Sequence, residues 1–157
     1  MTAEAVELSD LRVLVIDDNI DVANSLSHLL QMIGCRTAVA YGGEMGLRIA
    51  ELFHPSLVFL DQRMPGLDGC EVLAQSRDAR TPLAEAMCVC LTALDGAEVE
   101  AECRQAGFDA FVRKPLEPPT LYELLNKAQA RTIANAAIGR MVDPEENDYG
   151  KRGTDTS

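Results

Sequence analysis

The chain has 157 residues, a formal net charge of −11 and a sequence pI of about 4.5. A nucleic-acid-binding surface would need clustered Lys and Arg, so this charge argues against direct contact with nucleic acid. The apolar share of 47% is enough for one buried core, but no apolar run approaches the roughly 20 residues of a membrane-spanning helix. Because the acidic first residues also lack the pattern of a signal peptide, we expect a cytoplasmic protein that does not engage a membrane.

Short apolar runs alternate with helix-like segments along most of the chain. The runs predicted as strands are 11–16, 36–40, 56–60, 86–91 and 109–113. The segments predicted as helices are 20–33, 43–53, 68–79, 96–106 and a fifth that starts at Pro118. In the first of these helices, apolar residues recur on one face: Val22, Leu26, Leu29, Leu30 and Ile33. Five strand–helix repeats with continuously apolar strands predict a parallel sheet covered by helices on both faces.

The pattern predicts one domain with an extension at each end. Residues 1–10 are the N-terminal extension and residues 11–130 the domain. In the C-terminal extension, 131–157, helical periodicity continues to Met141, and the polar sequence after Asp143 predicts disorder. The starting methionine and the tail favour an independent single-domain protein.

The five cysteines form no C-x-x-C pair. Cys88 and Cys90 are two residues apart on a predicted strand, so their side chains are expected on the same face. We interpret all five as reduced thiols in or near the core, with a metal site or a redox pair as the alternatives. They are Cys35, Cys70, Cys88, Cys90 and Cys103.

Polar residues follow the predicted strands at their carboxyl ends. Asp17 and Asp18 come after the first strand, Asp61 after the third, Thr92 after the fourth and Lys114 after the fifth. Ligands of parallel sheets bind at this edge, where the strand order switches. Three converging carboxylates raise one another's pKa, and a hard divalent cation such as Mg²⁺ relieves that repulsion. With a hydroxyl and an ammonium nearby, the set indicates phosphoryl transfer.

Each of these residues also has a simpler interpretation. Asp17 and Asp18 could cap the first helix, as Asp commonly does. Thr92 could satisfy a backbone group at a strand end, and Lys114 could be an ordinary surface lysine. None of these alternatives explains why the three acids and the lysine share one edge of the predicted sheet.

Residues 13–125 resemble the receiver domain of two-component response regulators. The motifs that carry the resemblance are VLVIDDN, LVFLDQRMPGLDG, LTA and FVRKP, in this order. The resemblance implies an α/β, flavodoxin-like fold with a doubly wound five-stranded parallel sheet of order 2-1-3-4-5 and five helices.

The resemblance also implies a role for each matching residue. Asp61 would be the phosphoacceptor, and Thr92 and Lys114 would contact the phosphoryl group. Phe111 matches the aromatic switch position, which turns inward as Thr92 moves, although an aromatic residue on a strand is often simply part of the core. The residue after Lys114 is Pro115, and a cis peptide bond is implied between them.

A magnesium site is implied at the same place. Asp18 and Asp61 would bind Mg²⁺ directly, Asp17 would help through a water, and the backbone carbonyl of Arg63 would supply another ligand. No other cofactor is implied.

The implied function is a phosphorylation switch rather than an enzyme, since such a domain catalyses at most its own phosphorylation and dephosphorylation. The donor would be a phosphohistidine on a sensor histidine kinase or a histidine phosphotransfer protein. The signal would pass through the fourth helix, fifth strand and fifth helix to an unknown downstream protein, with a homodimer through that surface as a further expectation. A bacterial protein is implied. The alternatives are a phosphate sink, a relay module like those of hybrid kinases, and a phosphorylation-independent scaffold.

Three positions near the predicted phosphoacceptor site depart from the family pattern or vary among its members. Gln62 stands where the family often has an apolar residue. Arg63 and Leu94 occupy positions that tune attack of water on the acyl phosphate, and this pair predicts a long-lived phosphorylated state. Two other classes of protein are disfavoured. Arg63 stands where a dehalogenase-type phosphatase requires its second Asp, and the acids of DDNID would repel the phosphate group of the cofactor in a flavin-binding module.

Overall fold

Five parallel strands form one sheet at the centre of the molecule. The computed structural model describes residues 7–93 and 97–155, with side chains as far as residue 138. The sheet order is β2-β1-β3-β4-β5, which confirms the predicted order and the flavodoxin-like fold. The strands are β1 (Arg12–Ile16), β2 (Arg36–Ala40), β3 (Leu57–Asp61), β4 (Met87–Thr92) and β5 (Ala110–Arg113).

Six α-helices connect and cover the strands in the described part of the chain, after a short 3-10 helix at Leu8–Asp10. They are α1 (Ile20–Ile33), α2 (Gly43–Phe53), α3 (Gly69–Ala79), α4 (Pro82–Glu85), α5 (Ala97–Ala106) and α6 (Pro118–Asp155). The single-turn helix α4 was not predicted, because Pro82 was interpreted only as the end of α3. A proline at the first position of a helix also favours a helix start. The predicted fourth and fifth helices are therefore α5 and α6.

The sheet separates two apolar cores. Side chains alternate between the faces of a strand, so Val13 and Val15 pack with α1 and α6, whereas Leu14 and Ile16 pack on the face of α2 to α5. All five residues of β3 are buried. The predicted inner face of the last helix is confirmed, because these four residues are all buried: Leu121, Leu124, Leu125 and Ala128.

The register of the strands brings their carboxyl ends to one edge. Ile16 pairs with Leu60, Asp61 with Leu91, and Thr92 with Arg113. Residues that follow different strands, far apart in sequence, therefore become neighbours there.

The apolar stripe of α1 is only partly a core face. Leu30 is fully buried, but Val22 and Leu29 are each 38% exposed. Small residues, Ala23 and Ser27, face the sheet beside Leu30 instead. The helical periodicity identified the helix correctly but not which part of its surface the fold covers.

Helix α6 continues far beyond the sheet. Its backbone is helical as far as Asp155, whereas the sequence favours a disordered segment after Asp143. A helix needs only local hydrogen bonds, so a polar composition does not exclude one. The division at Ala130 between domain and extension stays a prediction. Among the residues that the structure describes, no helix is both long enough and apolar enough to span a membrane.

Candidate functional site

Three carboxylates converge at the carboxyl edge of the sheet. Asp17, Asp18 and Asp61 each place one oxygen within 4.8 Å of the others. Asp17 and Asp61 are buried, whereas Asp18 is exposed. The arrangement gives a cation access from solvent to a site with two buried acidic walls.

The loop after β1 fixes Asp17. Its backbone N–H donates to the carbonyl of Ala40 at 3.1 Å, and its Oδ1 accepts from the N–H of Asn19 at 2.9 Å. Asn19, not an aspartate, caps α1 by accepting from the N–H of Val22 at 3.1 Å. The capping interpretation of Asp17 and Asp18 is therefore wrong.

The loop after β3 folds back against the strand end that carries Asp61. The N–H of Gln62 donates to Leu91 at 3.0 Å, and the N–H of Gly69 donates to the carbonyl of Gln62 at 2.9 Å. A Cβ atom on Gly69 would lie 2.7 Å from the carbonyl oxygen of Asp61. Only glycine allows this close approach, which holds the start of α3 against the acid.

Lys114 lies between two of the acids. Its Nζ is 2.7 Å from Asp17 Oδ2 and 3.5 Å from Asp61 Oδ2. Its backbone N–H donates to the carbonyl of Thr92 at 2.8 Å, so the ends of β4 and β5 are joined. The peptide bond to Pro115 is cis, as the resemblance implies.

The charges at the site perturb one another. Burial raises the pKa of Asp61 to about 6, with the negative charge of Asp17 adding to the rise and Lys114 and the backbone N–H of Arg63 opposing it. For Lys114, burial lowers the pKa, but the hydrogen bond to Asp17 and the charges of both acids outweigh it and leave the pKa raised. The ammonium thus stays charged, while Asp61 is poised to gain or lose a proton near neutral pH.

The donor set suits a hard cation. All three side chains offer carboxylate oxygens, and Mg²⁺ is usually bound by one or two carboxylates, waters and phosphate oxygens. Lys114 already neutralises part of Asp17, so a divalent ion would share that carboxylate with the ammonium.

The other predicted site residues lie around this cluster. Thr92 is buried at the end of β4, and Arg63 is exposed after β3. Phe111 is half-buried on β5 and packs against the core on the side of α5. Leu94, one of the two residues behind the predicted long lifetime, lies outside the described residues.

Three features next to the site were not foreseen from the sequence. The roles of Asn19 and Gly69 were not singled out, although an Asn before a helical pattern is a recognisable start signal. The contact of Cys70 Sγ with Gln62 Oε1 at 3.3 Å had no signal in the sequence, because it depends on how α3 packs against the loop.

An apolar cleft of about 590 Å³ opens beside Lys114. One wall is the half-exposed stripe of α1, including Val22, Leu26 and Leu29; the other includes Pro115 and Leu116. The charged site is therefore continuous with an apolar surface through Lys114.

Comparison with known proteins identifies the family. The model of the response regulator receiver domain matches residues 13–126. A probable transcriptional regulator, ycf27, of Cyanophora paradoxa is 35% identical over 80% of this chain and 51% of its own length. The sensor histidine kinase AtsR of Burkholderia thailandensis is 32% identical over 77% of this chain and 20% of its own. The structure of the Francisella response regulator 1452 receiver domain matches with a TM-score of 0.70 and 28% identity, covering 78% of this chain and 98% of that one.

The chain belongs to the response regulator receiver family, and the sequence-based assignment is confirmed. It spans about half the length of the Cyanophora paradoxa regulator and a fifth of that of the kinase. The similarity therefore covers only part of each of these larger proteins.

Proposed function

We propose that this receiver domain accepts a phosphoryl group on Asp61 in a Mg²⁺-dependent reaction and thereby switches a protein-interaction surface. The observation that carries the proposal is the convergence of Asp17, Asp18 and Asp61 with Lys114 placed between two of them. A structural ion pair would need one acid and one lysine. Three clustered acids, two of them paired with one ammonium, leave a surplus of negative charge, which a divalent cation would balance.

Each residue has a part in the transfer. A carboxylate oxygen of Asp61 attacks the phosphorus of a phosphohistidine, so that an O–P bond forms, the P–N bond breaks and the imidazole of the donor leaves; the product on Asp61 is an acyl phosphate. The ammonium of Lys114 pairs with a phosphoryl oxygen, and the hydroxyl of Thr92 donates to another. Asp17, Asp18, Asp61 and the backbone carbonyl of Arg63 would hold Mg²⁺, whose charge offsets the repulsion between the acids and the phosphoryl group.

The switch would act through α5, β5 and α6. Thr92 ends β4, and its carbonyl accepts from the backbone N–H of Lys114 just after β5. Movement of Thr92 toward the phosphoryl group would therefore shift the end of β5 through this hydrogen bond. Strand β5 carries the half-buried Phe111. An inward turn of Phe111 would change the exposed surface, to which a downstream protein or a second copy of the chain would bind.

The donor would be a phosphohistidine on a sensor histidine kinase or a histidine phosphotransfer protein. Such a protein must bring its histidine to the edge of the sheet, and the apolar cleft beside Lys114 offers a docking surface there. A sensor histidine kinase containing a region similar to this chain also makes a relay role a second candidate.

Five free cysteines agree with a reducing, cytoplasmic location.

Intact-protein mass after incubation with acetyl phosphate and Mg²⁺ tests the acceptor. We expect one added phosphoryl group, which is absent in Asp61→Asn and in EDTA. Asp78→Asn, which removes an exposed acid on α3, is expected to behave like the wild type. A phosphoryl group retained in Asp61→Asn would reject Asp61 as the acceptor.

A further inference from the structure

Two buried thiols meet between β4 and α5. The sulfur atoms of Cys90 and Cys103 are 3.0 Å apart, and neither residue is exposed. A disulfide requires a separation of about 2.05 Å, so each sulfur would need to move by roughly 0.5 Å. Both residues are free cysteines in the core on the face of α2 to α5.

A third cysteine connects this pair with the surface. Cys70 is partly exposed; its Sγ lies 3.3 Å from Gln62 Oε1 and 4.0 Å from the carbonyl oxygen of Glu102, the residue before Cys103. Gln62 and Glu102 both line an open cleft of about 570 Å³. The residues that contact Cys70, one of which precedes Cys103, are therefore accessible to a small oxidant in this cleft.

The remaining cysteines are differently placed. Cys88 also lies on β4, as predicted on the same face as Cys90, but its Sγ donates to the carbonyl of Leu83 at 3.3 Å. Cys35 belongs to the core on the opposite face of the sheet. These two buried cysteines are matched controls for the pair.

We propose that Cys90 and Cys103 form an oxidation site at which hydrogen peroxide converts the two thiols into a disulfide, tying α5 to β4. One sulfur attacks a peroxide oxygen, so that an S–O bond forms, the O–O bond breaks and one water leaves. The second sulfur then attacks the first, so that the S–S bond forms, the S–O bond breaks and a second water leaves with the remaining thiol proton. Two thiols are oxidised and one peroxide is reduced to two waters.

The burial of the site sets its rate. The thiolate is the reactive species, and burial raises the pKa of both Cys90 and Cys103. Burial therefore slows the reaction of the two thiols with the oxidant.

The consequence for signalling rests on the proposed function. Cys90 is two residues before Thr92, at the end of the strand proposed to respond to phosphorylation. A covalent bond from this strand to the middle of α5 restrains the helix that would carry part of the output surface. Oxidation is thus expected to oppose the switch without altering Asp61.

Peptide mapping of the full chain after peroxide treatment in EDTA tests the proposal, with remaining thiols alkylated after denaturation. We expect a mass lower by two hydrogen atoms, one disulfide joining Cys90 to Cys103, its reversal by dithiothreitol, and amide exchange in α5 slowed several-fold. Cys90→Ala is expected to abolish the disulfide, whereas Cys88→Ala and Cys35→Ala retain it.

The wild-type map does not depend on any variant folding, and it requires no phosphorylation, so it remains informative if the proposed function fails. A disulfide that joins Cys103 to Cys70, or peroxide that adds only oxygen to the sulfurs, would overturn the assignment. If amide exchange in α5 is unchanged in the oxidised protein, the proposed restraint of α5 against β4 by the disulfide is wrong.

Discussion

Asp61 is subject to opposing influences in the metal-free protein. Burial and the neighbouring charge of Asp17 favour its protonated form, while Lys114 and the N–H of Arg63 favour the charged form. A nucleophile for phosphoryl transfer must be charged, so the proposed Mg²⁺ would serve both to bind the donor and to ionise the acceptor. The raised pKa of about 6 means that ionising Asp61 is unfavourable in the folded, metal-free protein. A bound Mg²⁺ would remove this free-energy penalty.

The pH dependence of stability follows from this cost. Because the pKa of Asp61 rises from 3.8 to about 6 on folding, its contribution favours folding below pH 3.8 and is lost as the pH rises through about 6. Asn carries no charge at any pH. In EDTA, we expect Asp61→Asn to stabilise the protein more near pH 8 than near pH 4.5, with a difference of about 2 kcal/mol in the free energy of unfolding.

Urea unfolding at the two pH values measures this difference. The control is Asp78→Asn, which removes the same charge from an exposed position on α3. A stabilisation by Asp61→Asn that is equal at both pH values would contradict the prediction.

Gly69 provides a second test at the level of one residue. In Gly69→Ala the new methyl group would lie 2.7 Å from the carbonyl oxygen of Asp61 and 3.2 Å from Gln62 Cα, both backbone atoms that cannot easily move. We expect a loss of about 2 kcal/mol in the free energy of unfolding and slower phosphorylation by acetyl phosphate. At Gly42, the N-cap of α2, a Cβ meets nothing within 4 Å, so Gly42→Ala has no steric penalty and is expected to cost no more than about 1 kcal/mol through the poorer capping of the helix by alanine. Equal effects at the two glycines would refute the steric argument.

Among the elements, α1 combines two tasks on one helix. Ala23, Ser27 and Leu30 hold it to the sheet, while Val22 and Leu29 remain half-exposed in the cleft beside Lys114. The exposed stripe lies next to the proposed phosphoacceptor, which is where a donor protein would have to dock. The helix is thus suited both to cover the core and to receive a partner.

Two matched leucine substitutions test this docking role. We expect Leu29→Ser to slow phosphoryl transfer from a donor protein by about fivefold to tenfold, since truncating a buried interface anchor costs upward of about 1 kcal/mol. Transfer from acetyl phosphate should not change, because the small donor does not use the cleft. Leu52→Ser on α2, where the leucine is 89% exposed, is the control and should leave both rates unchanged.

The donor for this measurement is the kinase that phosphorylates the wild type fastest in a panel of autophosphorylated sensor kinases. A rate from that kinase unaffected by Leu29→Ser would exclude the stripe of α1 as the docking surface.

The comparison of sequence and structure is also clearest at this scale. The pattern of apolar residues was enough to predict the five strands and five of the helices in the described part of the chain, because short, continuously apolar runs differ from the i, i+3, i+4 spacing of amphipathic helices. The half-exposed Val22 and Leu29 show its limit, since periodicity cannot tell a core face from a docking face. The partner of Cys90 was likewise not predictable, because its contact with Cys103 depends on the packing of α5 against β4. The acids and Lys114 were predictable because each lies at the end of a strand or just after it, and the sheet order brings strand ends together.

The molecule as a whole carries a net charge of −11, and three of its acids, two of them buried, lie within 4.8 Å of one another in the cluster at the sheet edge. Any salt should reduce the general repulsion, but only a specific site should respond to Mg²⁺ beyond this screening. At constant ionic strength, a ligand at ten times its dissociation constant stabilises the folded state by about 1.4 kcal/mol. We therefore expect Mg²⁺ to raise the melting temperature of the wild type by several degrees relative to KCl of the same ionic strength.

The same titration on two variants separates the site from the overall charge. Asp18→Asn removes one carboxylate of the cluster and is expected to lose most of the Mg²⁺ response, whereas Asp78→Asn removes the same charge elsewhere and should keep it. Asp18 is the suitable choice because it is exposed, so its removal disturbs the core less than removal of the buried Asp17, which is paired with Lys114. If both variants respond like the wild type, Asp18 is not a ligand of a specific cation, and the proposed composition of the site is wrong.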